Sequence, residues 1–191
     1  MALPSPDCDV PLDVCCDMAF TIASNILEIA HTAVVGCIPI TPCPLPEIVG
    51  YISFGLRVED PVPDYLVVSL ASLTPTPLSA DRNQKMHLPI YRAEFQVRLL
   101  ESGWPQPTGD DQEIIPPEPD EFAAAAKHAY AHGEAMYRAL HVALTNNELN
   151  PYCQSGCFKA ISALTPVEPT GGTVGWDVNI TTDFDMSKSA L

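Results

Sequence analysis

The stretch TVGWDVNITTDF, Thr173–Phe184, alternates along its whole length. Val174, Trp176, Val178, Ile180, Thr182 and Phe184 fall on one side, and Thr173, Gly175, Asp177, Asn179, Thr181 and Asp183 on the other. Successive side chains of a strand point to opposite faces, so a period of two predicts a strand with one face on a core. A slip of one residue would bury the aspartates, which sets the facing. Trp176 and Phe184 are therefore expected on the core side, with Asp177 and Asp183 toward solvent, a subunit neighbour or a lumen. Upstream, FKAISALTPVEP (Phe158–Pro169) reads as the partner strand, and Gly171-Gly172 supplies the positive φ angles of a tight hairpin.

Two other stretches alternate or run apolar at strand length. In IYRAEFQVRLL (Ile90–Leu100), Tyr91, Ala93, Phe95, Val97 and Leu99 oppose Arg92, Glu94, Gln96 and Arg98. YLVVSLASL (Tyr65–Leu73) is apolar in both phases, as in a strand covered on both faces. YISFGLRV (Tyr51–Val58) adds a shorter alternation through Ile52, Phe54, Leu56 and Val58. Helical spacing appears twice. From about Pro11 to Val34, Val14, Met18, Ile22, Ile26, Ile29 and Ala33 form one stripe, with Asp9 and Asp13 at its positive end. A second helix is predicted from Asp120 to Asn146. Pro39, Pro42, Pro44 and Pro46 force an extended connector after the first helix. The Pro-rich acidic segment from Gly103 to Glu118 reads as an exposed, flexible loop.

The predicted fold is α+β: an antiparallel or mixed sheet with two long helices on one face, in a single domain over residues 1–191. A chain of 191 residues suits one sizeable core, and 47% hydrophobic residues exclude wholesale disorder. The N-terminus carries no basic-then-apolar leader, and no apolar run is read as a membrane span. With 9 basic against 24 acidic residues the formal net charge is −15, which argues against gripping nucleic acid through its phosphates.

One segment looks like chemistry. HAYAHGEAMYRALH, His128–His141, holds three histidines and Glu134. At about 100° per residue, Phe122, Ala126, Ala129, Gly133, Met136, Leu140 and Leu144 form the core face, and His128 and His132 lie on one flank of it. Glu134 and His141 are each about half a turn away from His132. No metal site closes within the helix, although a ligand from elsewhere would complete one. The expectation is a helix side without metal. Cys37-x5-Cys43 and Cys153-x3-Cys157 could give a zinc ion four thiolates, but the first spacing is wider than usual, and a local Cys153–Cys157 disulfide is the alternative. No phosphate loop or nucleophile elbow is present, and Asp110-Asp111 and Asp120-Glu121 sit in the loop or at a helix start. Neither catalytic nor cofactor-binding residues are assigned.

The element order resembles the tail terminator proteins of long-tailed bacteriophages. The phrases that carry the likeness are CPLPEIVGYISFG, YLVVSLASLTP, IYRAEFQVRLLESGWP, MYRALHVALTNN and the closing LTPVEPTGGTVGWDVNITTDF. The likeness spans roughly residues 10–186. It implies a structural protein of the virion, not an enzyme: a hexameric ring, assembled in the host cytoplasm, that caps the tail tube protein at its head-proximal end. Such a ring ends tube growth and offers a docking surface to a head-closure protein, while DNA passes through its lumen unbound. Alternatives are a head-closure stopper or tail-tube subunit, a cytoplasmic binding module, or a small enzyme using His128, His132 and a cysteine. For a DNA conduit, an acidic lining is expected from Asp177 and Asp183 or from the Gly103–Glu118 loop, against the alternative of acids spread evenly for solubility.

Overall fold

The computed structural model describes residues 14–37, 48–54, 64–76, 90–102, 118–152, 157–167 and 173–185, without the side chains of 14–17, 121, 122 and 185. The first apolar stripe is helix α1, Val14–Val35. Met18, Ala19, Ile22, Ala23, Ile26, Ala30 and Val34 are its buried residues. The stripe thus runs through Ala30 and Val34, and the expected Ile29 and Ala33 are only half-buried. Against the expectation of no spanning segment, Met18–Val35 has the length and apolarity to cross a membrane. Met18, Ile22, Ile26, Ala30 and Val34 of this segment lie in the core with the sheet and the second helix, while Phe20 and Val35 are exposed.

Strands β1 (Val49–Ser53), β2 (Tyr65–Pro75) and β3 (Ile90–Ser102) follow, then helix α2 (Pro119–Thr145), and then β4 (Lys159–Ile161), β5 (Thr165–Pro166) and β6 (Thr173–Asp185). The sheet order is β1-β2-β3-β6-β4, with β5 also paired to β6. β1 and β2 are parallel, and every other pair is antiparallel. The sheet is mixed, and both helices pack with it, so the α+β expectation is met. The first strand is shifted: it starts at Val49, and Leu56 and Val58 lie outside the described residues.

The closing stretch takes the sheet centre because it pairs on both sides. β6 lies against β3 over thirteen residues, from Ile90↔Asp185 to Ser102↔Thr173, and against β4 and β5 on its other edge. Matched parity puts Phe95, Val97 and Leu99 beside Ile180, Val178 and Trp176 on the helix-covered face. Phe184 is buried there as expected, and Trp176 is half-buried on the same face. β2 is buried on both faces only over Tyr65–Val68; the expected two-sided cover does not reach Ala71 and Leu73, which are exposed.

Two buried polar residues pin corners of this frame. Asp64 has a φ of 84°. Its carboxylate accepts from the Ser102 backbone N–H at 2.8 Å and from the Ser102 hydroxyl, joining the start of β2 to the end of β3. Asn150 donates through Nδ2 to Thr182 Oγ1 and to the Asp183 carbonyl at 2.9 and 3.0 Å, which anchors the turn after α2 to β6. Buried amides and carboxylates of this kind are tolerated because their hydrogen bonds are made.

Candidate functional site

Helix α2 carries the histidine-rich stretch. Its first turns are largely exposed, so Ala126 is not in the core, contrary to the expected face; Phe122 is outside the described side chains. From Ala129 onward the predicted arc holds: Ala129, Met136, Leu140 and Leu144 are buried. Gly133 is the closest approach of helix to sheet. A Cβ there would lie 2.6 Å from the Trp176 ring, and only glycine leaves that space. The Trp176 indole N–H donates to the Ala129 carbonyl at 2.8 Å, so ring and helix are locked together.

This close approach carries His132 inside. It is 1% exposed, not on a solvent-facing flank. The partner comes from β3. Glu101, 5% exposed, continues the inner-face row Ala93–Phe95–Val97–Leu99 by one more step. Its Oε1 lies 2.5 Å from His132 Nδ1 and 4.0 Å from His128 Nε2. The two imidazole rings are 4.1 Å apart, edge to face. One donor atom from each of the three residues lies within 4.8 Å of the other two. Among the described residues, Glu101 Oε2 and His132 Nε2 are buried without a hydrogen-bond partner. Burial, with a smaller push from His132, lowers the His128 pKa below its ordinary value, against an opposing pull from Glu101. His128 is therefore neutral at pH 7.

The geometry within the helix is as expected. Glu134 pairs with Arg138 on the exposed side, and His141 is exposed beside Tyr137. Neither reaches the histidine pair. What the helix lacks, the sheet provides. Glu101 was legible: extending the β3 alternation two residues past Leu99 puts a carboxylate on a core face, where it requires a partner. Among the cysteines, Cys37 Sγ sits 3.9 Å from the Ala131 carbonyl, while Cys43 and Cys153 lie outside the described residues.

The opposite sheet face carries a second constellation. Arg98 donates to Asp177 through Nε and Nη2 at 2.8 and 2.6 Å, and Arg92 to Asp183 at 2.8 and 3.1 Å. Register explains both, since Arg98↔Asp177 and Arg92↔Asp183 are direct cross-strand partners. Arg92 also stacks on Phe158, 4.1 Å from its ring centre. Lys159 donates to the Leu144 carbonyl at the end of α2 and to Asn147. Asp177 and Asp183 lie on the sheet face opposite the helices, each carboxylate paired with a guanidinium, and Asp183 is buried at 8% exposure. Residues 103–117 of the other candidate lining lie outside the described residues.

Arg98 and Asp177 form a two-bond pair at a partly solvated site, so Asp177→Ala is expected to cost only about 1 kcal/mol. Asp177→Ala/Arg98→Ala should cost little more than either single variant. Urea unfolding of the four proteins checks this; strictly additive losses would show that the pair is not coupled.

No protein-family model matches the chain, and the comparison with curated proteins gives no match.

Proposed function

We propose that the chain is a ring-forming structural subunit of the neck of a long-tailed phage particle, acting as the tail terminator. The observation that carries this reading is the pair of open edges on the sheet. Among the described residues, β1 pairs with β2 alone at one end of the sheet, and β4 pairs with β6 alone at the other. Next to the first edge lie exposed Val49, Tyr51 at 45% and Phe54, with Phe20 of α1 in ring contact with Phe54 at 6.1 Å. At the other end Phe158 is 44% exposed. Unpaired edges and exposed aromatic groups are costly for a lone subunit. Two different patches on opposite sides of one subunit are what a head-to-tail interface needs, and such an interface makes a ring when its rotation closes. The order of helix, three strands, helix and closing hairpin supports the same reading through its likeness to terminators.

In this role the Glu101–His132 contact and the Gly133–Trp176 lock hold α2 rigidly on the sheet, while the edges meet neighbouring subunits. No catalytic step is assigned. Labelling with an antibody against the chain tests the placement. Tails assembled without heads should carry label at one end only. Label along the tube would make the chain a tube subunit, label on tail-less heads a stopper, and label on neither would defeat the reading.

A further inference from the structure

We propose that Glu101, His128 and His132 bind one divalent ion of the zinc class, joining the end of β3 to helix α2. Three observations converge on it. The donors are two imidazoles and a carboxylate, the set that zinc and its first-row neighbours take. Calcium and magnesium are disfavoured because they require mostly oxygen ligands. His128 and His132 stand at i and i+4, so both rings project from one side of α2, and Glu101 reaches them from the facing strand.

The unmet atoms are the second observation. Glu101 Oε2 and His132 Nε2 are buried, polar and without a partner among the described residues. Groups so placed lose their hydration and regain nothing from the protein. A cation beside Glu101 gives this buried carboxylate a counter-charge, and each neutral imidazole has one ring-nitrogen lone pair to offer it. The third observation is distance. Ligands about 2.0 Å from a tetrahedral ion sit about 3.3 Å from one another. The observed separations from Glu101 Oε1, 2.5 Å to His132 Nδ1 and 4.0 Å to His128 Nε2, lie on either side of that value. The two separations differ from it by about 0.7 and 0.8 Å. The His128 side chain is 17% exposed, so the cluster is not wholly sealed from solvent. This replaces the expectation, drawn from the helix alone, that the two histidines hold no metal. It stands independently of ring assembly.

Full-length protein stripped with chelator and then exposed to Zn²⁺ or Co²⁺ tests the site. One ion per chain is expected after gel filtration, by elemental analysis. The Co²⁺ form should show a tetrahedral visible spectrum without a thiolate charge-transfer band, which separates this site from the seven cysteines. His128→Ala and Glu101→Gln should each weaken binding by more than the roughly 10–100-fold typical of losing an outer-sphere partner. His141→Ala should leave affinity unchanged. Zn²⁺ should raise the melting temperature of the parent but not of His128→Ala, whose fold is checked by circular dichroism. A parent that retains no ion, equal retention by His128→Ala, or a thiolate band would each overturn the assignment.

Discussion

Phe184→Ala is expected to lower the unfolding free energy by about 3–5 kcal/mol, the range for emptying a fully buried aromatic site. Phe184 is 1% exposed, among the residues of the main core, with Tyr91 stacked beside it at 6.2 Å. For a chain of this size the melting temperature should fall by about 6–20 °C. Trp176→Ala should sit near about 3 kcal/mol, because its ring is only half-buried but also loses the bond to the Ala129 carbonyl. Thr181→Ala, on the other face of the same strand, should change stability by no more than about 0.5 kcal/mol. Urea denaturation of the three variants checks the facing of β6. Equal losses at Phe184 and Thr181, or Trp176 fluorescence fully quenched by iodide, would mean that the strand is turned over.

The second large effect is a change of sign. In an ordinary helix interior, Gly→Ala gains about 1 kcal/mol from propensity. At Gly133 the new methyl would meet the Trp176 ring at 2.6 Å, closer than packed atoms tolerate. The indole must move, and its bond to Ala129 goes with it. Overpacking of this kind costs about 1–3 kcal/mol or more, so the clash outweighs the propensity gain. Gly133→Ala should therefore destabilise the parent and stabilise a Trp176→Ala background by about 1 kcal/mol. If Gly133→Ala stabilises the parent, the helix does not approach the sheet at this point.

The alternation of Thr173–Phe184 and Ile90–Leu100 made the sheet legible because strand periodicity reports facing directly. It could not report which strands are neighbours. That β6 enters between β3 and β4, and that β1 runs parallel to β2, depends on contacts distant in sequence. The same limit applies to the site. His128 and His132 are visible as an i, i+4 pair, and Glu134 and His141 are excluded by helix geometry. Glu101 is 31 residues from His132 and needed the strand's register to be matched to the helix. Asp177 and Asp183 were correctly placed on the outer face, but their partners were not legible, because Arg98 and Arg92 come beside them only through the β3–β6 register.

Ring closure through opposite sheet edges, as proposed, is to be read from the native mass of the purified chain. Native mass spectrometry or light scattering should find a closed oligomer, with six copies giving about 124 kDa from a 20.6 kDa chain. Tyr51→Asp combined with Phe54→Asp should convert it to folded monomer, since charge at the exposed edge blocks the neighbour without touching the core. A parent that stays at 20.6 kDa at every concentration, in the presence of tail tubes as well as alone, would contradict the account.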